Sequence, residues 1–260
     1  MVVAMVEKVF IGVDLAWRSD RNNTGAAVIS GDRRGAQLVV AADPIYRLEE
    51  VRQFVSAQSG SVTVVAVDAP LIIPNATGQR LCETAVGSRY GARHASCHTS
   101  NQRRYPASTS VALADGLVAQ GYVHATEAQE SGRILLEVYP HAAMVALFDL
   151  PRVLKYKKGT VAQKRQGLRT LAGHIRRLTA AKPALCANDM LEAILTRNIE
   201  RLSGRDLKMH EDTLDAVFCA YLAYYFWYWR MERNEVFGSV EVGYILNPTL
   251  LAGGIEKHAA

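Results

Sequence analysis

The chain lacks the features that mark several large protein classes. Among 260 residues there are four cysteines, Cys82, Cys97, Cys186 and Cys219, and none of them form a CxxC pair. Such a pattern provides no disulfide framework, and His94, Cys97 and His98 beside Cys82 match no standard zinc-finger spacing. The longest apolar run, Ala216–Trp229, is shorter than the roughly 20 residues a bilayer span needs, so no membrane segment is expected. The chain start reads as a strand rather than a secretory signal, because Glu7 and Lys8 interrupt it. Reduced thiols and a cytoplasmic location follow as expectations. No internal repeat or low-complexity stretch occurs. With 49% apolar and 21% charged residues, the composition is that of a folded chain with one large core.

Acidic residues are also missing, but only locally. Between Arg152 and Lys182 there are 10 basic residues and no Asp or Glu, although the whole chain has 30 basic and 25 acidic residues. Lys155, Lys157 and Lys158 open this stretch. It reads either as a dock for a polyanion such as DNA or RNA, or as a solvated helix face.

Hydrophobic periodicity predicts strands over Val9–Trp17, Gly25–Ser30 and Gln37–Ile45, with a polar turn at Arg18–Thr24 making a hairpin of the first two. A helix is predicted over Arg47–Gln58 and a doubly buried strand over Val62–Pro70. An insertion of weak periodicity, about residues 72–132, has helical spacing at Val111–Gln120 and a short helix carrying Arg80 and Glu83. A fifth strand, Arg133–Pro140, precedes a short helix at His141–Leu150. Helices are then predicted around Val161–Thr179, Ala187–Ser203 and Glu211–Arg233, with an edge strand at Val240–Leu246. The expected fold is a single α/β domain over residues 1–260. Its mixed five-stranded sheet is flanked by helices, with the insertion between strands four and five and extra C-terminal helices.

The chemistry-bearing pattern is a set of carboxylates in apolar surroundings, where an uncompensated charge is costly. Asp14 shares a strand face with Phe10, Gly12 and Ala16, and the small neighbouring positions leave room for an ion or substrate. Asp68 and Glu137 come near the ends of the fourth and fifth strands, where open α/β sheets form ligand crevices. Asp212 and Asp215 lie three apart on one helix face, with Ala216, Cys219 and Ala223 continuing a small face suited to close packing. Together they are oxygen ligands suited to Mg²⁺ or Mn²⁺, and a pair of such ions activates water and stabilises the leaving oxygen in phosphodiester cleavage. Each carboxylate also has a plainer role open to it. Asp14 could form an Asx-turn with Arg18–Ser19, Asp68 could shape a turn, Asp212 could cap a helix, and Glu137 could pair with an arginine such as Arg80.

The insertion adds Arg80, Arg89, Arg93, Arg103 and Arg104, interleaved with Tyr90, His94, His98 and Tyr105, a composition able to grip phosphates and stack bases or simply to be solvated. Arg80 and Glu83 either brace the site or contact substrate. His141 is a candidate proton shuttle, since imidazole titrates near neutrality. The aromatic density from Tyr221 to Trp229 exceeds what one helix face buries, which makes a homodimer contact an expectation.

The segments Gly12-Val13-Asp14-Leu15-Ala16-Trp17, Thr24-Gly25 and Val67-Asp68-Ala69-Pro70-Leu71 form a specific combination with Arg80-x-Cys82-Glu83, Glu137-Val138-Tyr139-Pro140-His141, Lys155-Tyr156-Lys157 and Asp212-x-x-Asp215-Ala216. From about Val9 to Pro248 the chain resembles the bacterial and archaeal family called domain of unknown function 429, which is predicted to have an RNase H-like nuclease fold. The wider pattern is similar to Holliday-junction resolvases and ribonucleases H. That resemblance implies a metal-dependent nuclease, a hydrolase of phosphodiester bonds in DNA or RNA. Asp14, Asp68 and Asp215 are its implied metal ligands with Asp212 as neighbour, and Glu137, which has no counterpart in that superfamily's core, is added to the catalytic set from its place in the fifth strand. Arg80, Glu83, His141, Lys155, Lys157 and Lys158 are the implied substrate contacts. Two rival functions share the core sheet. One is a nucleotide-binding phosphotransferase of the actin and sugar-kinase group, for which a second glycine-rich phosphate loop and an adenosine motif are not evident. The other is a non-catalytic nucleic-acid-binding protein.

Overall fold

The computed structural model describes residues 8–17, 22–58, 60–125 and 132–250. The polar turn expected at Arg18–Thr24 lies, from 18 to 21, outside the described residues, as does the end of the insertion from 126 to 131. Among the described residues, seven strands form the main sheet: β1 (Lys8–Asp14), β2 (Thr24–Asp32), β3 (Gly35–Ile45), β4 (Val62–Val67), β5 (Tyr122–His124), β6 (Gly132–Glu137) and β7 (Leu185–Cys186). Their order is β5-β6-β4-β1-β2-β3-β7. The first three strands pair antiparallel in sequence, while β4 joins β1, β6 joins β4, β5 joins β6 and β7 joins β3 in parallel. The five expected strands are therefore the contiguous centre of a wider mixed sheet, to which β5 and β7 add short edges.

Helices cover both faces, as a sheet with apolar side chains on both sides demands. The helices are α1 (Leu48–Ser56), α2 (Leu81–Tyr90), α3 (Thr109–Val118), α4 (Pro140–Leu147), α5 (Val161–Arg177), α6 (Asp189–Leu195) and α7 (Gly204–Trp229). Val9, Ile11, Val13, Val28, Val65 and Val67 pack with α1 and α3 on one face. On the other, Phe10, Ala27, Ile29, Val64, Ala66 and Leu136 pack with α7 and the helices around it. The insertion is thus not a loose excursion, since it contributes α2, α3 and β5. Tyr90 is fully buried in the core, and its hydroxyl donates to Glu235 at 2.6 Å. Of the expected base-stacking rings, that one is structural.

The second half differs from expectation in three places. The helix expected over Ala187–Ser203 is capped by Asn188 and stops at Thr196, with a single 3₁₀ turn at Ile199–Arg201 beyond it, because Thr196 and Asn198 are weak helix formers. The edge strand expected at Val240–Leu246 is instead the turn and second arm of a separate hairpin, β8 (Asn234–Ser239) and β9 (Gly243–Pro248), whose turn is flanked by Gly238 and Gly243 at positive φ. The final helix begins at Gly204, so Asp212 lies inside it and is not a cap.

β1 runs down the centre of the sheet, and α7 lies directly on it. A Cβ added at Gly12 would stand 2.1 Å from both the Ala216 carbonyl oxygen and the Ala220 nitrogen, and one at Gly25 would stand 2.4 Å from the Asp212 carbonyl oxygen. The small residues of β1 therefore make room for the backbone of α7, not for an ion or substrate. The small face of α7 allows the same close approach from the other side. The aromatic stretch of α7 is enclosed by this chain's own elements, with Tyr221, Tyr224, Tyr225 and Phe226 at 0–1% exposure. The density of rings has that intramolecular explanation. Among the described residues, no helix is long and apolar enough to cross a membrane.

Candidate metal centre

The close approach of α7 to β1 and β2 brings the carboxylates together. Asp14 ends β1 on the α7 face, in register with Gly25 of β2. Asp68 follows β4, where its N–H donates to the Val13 carbonyl at 2.9 Å, and the Trp17 indole donates to its carbonyl at 3.0 Å. Asp212 and Asp215, at 1% and 0% exposure, descend from α7 onto this strand end. Asp14 and Asp212 line the same cavity, and, after burial, the charge of Asp14 helps to raise Asp212.

Two lysines complete the cluster. Lys157, on the loop between α4 and α5, places its Nζ 2.8 Å from Asp215 Oδ2, 3.8 Å from Asp14 Oδ1 and 3.9 Å from Asp68 Oδ2. Lys208 reaches Asp212 Oδ1 at 2.5 Å and Glu211 Oε1 at 2.7 Å. The Tyr156 hydroxyl donates to Asp215 Oδ1 at 2.8 Å. Neither Lys208 nor Tyr156 was among the residues picked from the sequence. A lysine four residues before Asp212 on one helix face was a usable signal for the first, and a tyrosine between two lysines of the motif was a weaker one for the second.

The electrostatics follow from burial. Desolvation pushes Asp68 up to about 8 and Asp212 up to about 9, against the pull of Lys157 and Lys208 respectively, and it raises Asp14 too. Burial alone would lower Lys157, but Asp14 and Asp215 outweigh it and hold the ammonium well above its ordinary value. His141 is held down to about 4, first by burial and then by the charge of Lys157. At neutral pH it is an uncharged imidazole with a buried Nδ1 that lacks a partner. It does not titrate near neutrality as a shuttle would.

Arg80, Glu83 and Glu137 form a separate, buried ion triad. The Arg80 guanidinium grips Glu137 through Nη2–Oε1 at 2.6 Å and Nη1–Oε2 at 3.0 Å, and donates through Nε to Glu83 Oε1 at 2.9 Å. Glu137 Oε2 also accepts from the Leu71 N–H at 2.8 Å. The pairing of Glu137 with Arg80, one of the two roles open to it, is the one present. In β6 it is aligned with Val67, one position short of Asp68, so strand alternation turns it away from the α7 face. Arg80 is 3% exposed and its guanidinium is committed to these partners, so it braces the cavity wall. Lys155 and Lys158 are exposed on either side of the half-buried Lys157.

Two cavities meet at Asp14. One, of about 380 Å³, is lined by Asp14, Asp68, Lys157, His98, His141 and Tyr105 among others. The other, of about 810 Å³, is lined by Asp14, Asp212, Lys208, Arg205, Tyr46 and Asn22 among others. The donor chemistry suits a hard divalent cation, being all carboxylate oxygen, and Asp212 Oδ2 is buried without a hydrogen-bond partner. Among the described residues, no three His, Cys, Asp or Glu side chains are gathered closely enough to enclose an ion. The Lys157 ammonium stands between Asp14, Asp68 and Asp215.

A comparison with curated proteins found no match. The model of the family described as protein of unknown function (DUF429) matches residues 12–238, and the chain belongs to that family.

Proposed function

We propose that the protein is a divalent-metal-dependent nuclease of the RNase H-like type, hydrolysing phosphodiester bonds in DNA or RNA. The observation that carries this reading is the meeting of Asp14 from β1, Asp68 after β4, and Asp212 and Asp215 from α7 at one strand end between two cavities. This is the placement of acids that the resemblance to resolvases and ribonucleases H implies. Asp14, Asp68, Asp212 and Asp215 are the oxygen donors that would hold Mg²⁺ or Mn²⁺, which requires them to close further and the Lys157 ammonium to give way. When bound, such ions lower the pKa of water and offset charge on the phosphate and leaving oxygens. Glu137 supports the site from outside the cluster, through Arg80 and the Leu71 N–H. Lys155 and Lys158, which are exposed, would meet phosphates of a strand entering beside Lys157, a contact that salt would weaken.

The test is incubation with branched DNA, RNA–DNA hybrid and single strands in Mg²⁺ or Mn²⁺. Cleavage is expected, abolished by chelation and reduced more than about 100-fold by Asp14→Asn. Absence of cleavage on every substrate, or an Asp14→Asn variant that cleaves as the wild type does, would contradict the proposal.

A further inference from the structure

The cavity of about 380 Å³ is walled by rings as well as by carboxylates. Trp17, Tyr105, Tyr139, His98 and His141 line it beside Asp14 and Asp68. Of the rings expected to stack bases, Tyr105 and His98 therefore stand at the carboxylate cluster, whereas Tyr90 is buried in the core. Two edge-to-face pairs brace the wall. The centroids of Trp17 and Tyr105 are 5.8 Å apart at 69°, and those of Tyr139 and His141 are 5.7 Å apart at 76°. An edge-to-face contact leaves at least one face of each ring outside the pair. The polar atoms of two of these rings are already used. The Trp17 indole N–H donates to the Asp68 carbonyl at 3.0 Å, and the Tyr139 hydroxyl donates to the Ser96 carbonyl at 2.9 Å. What Trp17 and Tyr139 offer a ligand is fixed π surface. One polar atom of the lining residues is unused, because the Nδ1 of His141 is buried and has no hydrogen-bond partner.

We propose that this cavity receives one unpaired nucleobase of the substrate strand, so that the protein acts where nucleic acid is single-stranded or a base leaves its stack. The inference rests on the nucleic-acid part of the function proposed above and deepens it. Braced aromatic rings beside a hydrogen-bonding nitrogen suit a flat heteroaromatic ligand with a polar edge. The volume is near the small end of small-ligand pockets, roughly 300–1,000 Å³. It suits one nucleotide and is too small for a nucleotide together with its paired partner. Asp14 and Asp68 on the wall repel a phosphate, and the nearby cations Lys157 and Arg80 are already paired with carboxylates. A neutral base therefore enters at lower cost than a phosphate does. Rings held in place beforehand lose little freedom on binding. Taking a base out of a duplex, in contrast, costs the pairing and stacking it had, a cost that single strands and flaps escape.

Fluorescence anisotropy in EDTA, at one salt concentration, tests this apart from any metal ion or cleavage. The probe is a labelled oligonucleotide of about 12 residues, within the range of single-strand sites, offered as single strand and as blunt duplex. Wild type is expected to bind the single strand at least about tenfold more tightly, although the duplex has the denser phosphate charge. Trp17→Ala and Tyr105→Ala, each folded by circular dichroism, are expected to weaken single-strand binding by about 5- to 150-fold, the worth of one stacked base. Both are expected to leave duplex binding unchanged. Tyr105→Phe keeps the ring and is expected to match wild type. Tyr105 is half-buried and lies outside any helix or strand, so its variants carry the test if Trp17→Ala does not fold. Thymidine monophosphate, a base without a strand, is expected to compete only weakly. Equal or tighter binding of duplex overturns the inference alone. So do alanine variants that bind the single strand as wild type does, or competition by the monophosphate as strong as that of unlabelled strand. Absence of binding to either form, in EDTA and in Mg²⁺ alike, overturns the nucleic-acid reading and the inference with it.

Discussion

Gly12→Ala is expected to destabilise the protein by about 3 kcal/mol, the upper end of the cost of overpacking a core. The added methyl would stand 2.1 Å from two backbone atoms of α7, and backbone atoms have no alternative rotamer to adopt. β1 is hydrogen-bonded on both sides, to β2 and to β4, so it cannot retreat without breaking a ladder. The remaining response is for α7 to lift away, which separates its buried aromatic face from Phe10 and its neighbours. At about 2–4 °C per kcal/mol for a chain of this size, the melting temperature should fall by roughly 6–12 °C. Asp212 and Asp215 ride on α7, so whatever folds should also bind Mn²⁺ more weakly. Gly173→Ala is the matched control. It lies in α5 with nothing near an added Cβ, and should be neutral or stabilising by up to about 1 kcal/mol. A Gly12→Ala protein that melts with wild type would show that α7 does not sit where the account puts it.

Arg80→Ala is expected to cost about 3–5 kcal/mol in urea unfolding, the usual penalty for removing one partner from a buried ion pair. Glu137 and Glu83 would be left as buried carboxylates, each keeping only backbone N–H donors: Leu71 for Glu137, and Arg80 and Ser100 for Glu83. Glu137→Gln in the Arg80→Ala background should recover part of the loss, because a neutral amide is cheaper to bury than an unpaired charge. If Arg80 served mainly to bind nucleic acid, its removal would lower affinity and leave stability within about 1 kcal/mol of wild type, as surface changes do.

The carboxylate constellation was legible because strand alternation and helical spacing are short-range rules. Asp14 on the Gly12 face, Asp68 at a strand end and Asp215 ahead of an apolar helix face could each be placed from local pattern. The reason for the small residues around Asp14 was not, because the close approach of α7 joins positions some 200 residues apart. The direction of Lys157 was hidden for a similar reason. Within a run of basic residues, nothing local separates an ammonium facing solvent from one drawn inward by carboxylates on three other elements. Lys155 and Lys158 are exposed, and only the loop's anchoring, by Tyr156 on Asp215 and by Gly167 close to the Lys155 carbonyl, turns Lys157 inward. β5 and β7, with 3 and 2 residues, are too short to show a period. The β8–β9 hairpin was half legible: its second arm overlaps the strand expected at Val240–Leu246, while its first arm falls between that strand and the helix expected to end at Arg233.

The most direct test of the metal centre is Mn²⁺ titration of wild type against Asp14→Asn, followed by electron paramagnetic resonance. Asp14 lines both cavities and lies 3.8 Å from the Lys157 ammonium, so its carboxylate is the one that the centre can least do without. The account predicts that wild type binds Mn²⁺ and that Asp14→Asn, while still folded by circular dichroism, loses at least about 10–100-fold in affinity. Equal binding by the two proteins, or no binding by wild type, would contradict it.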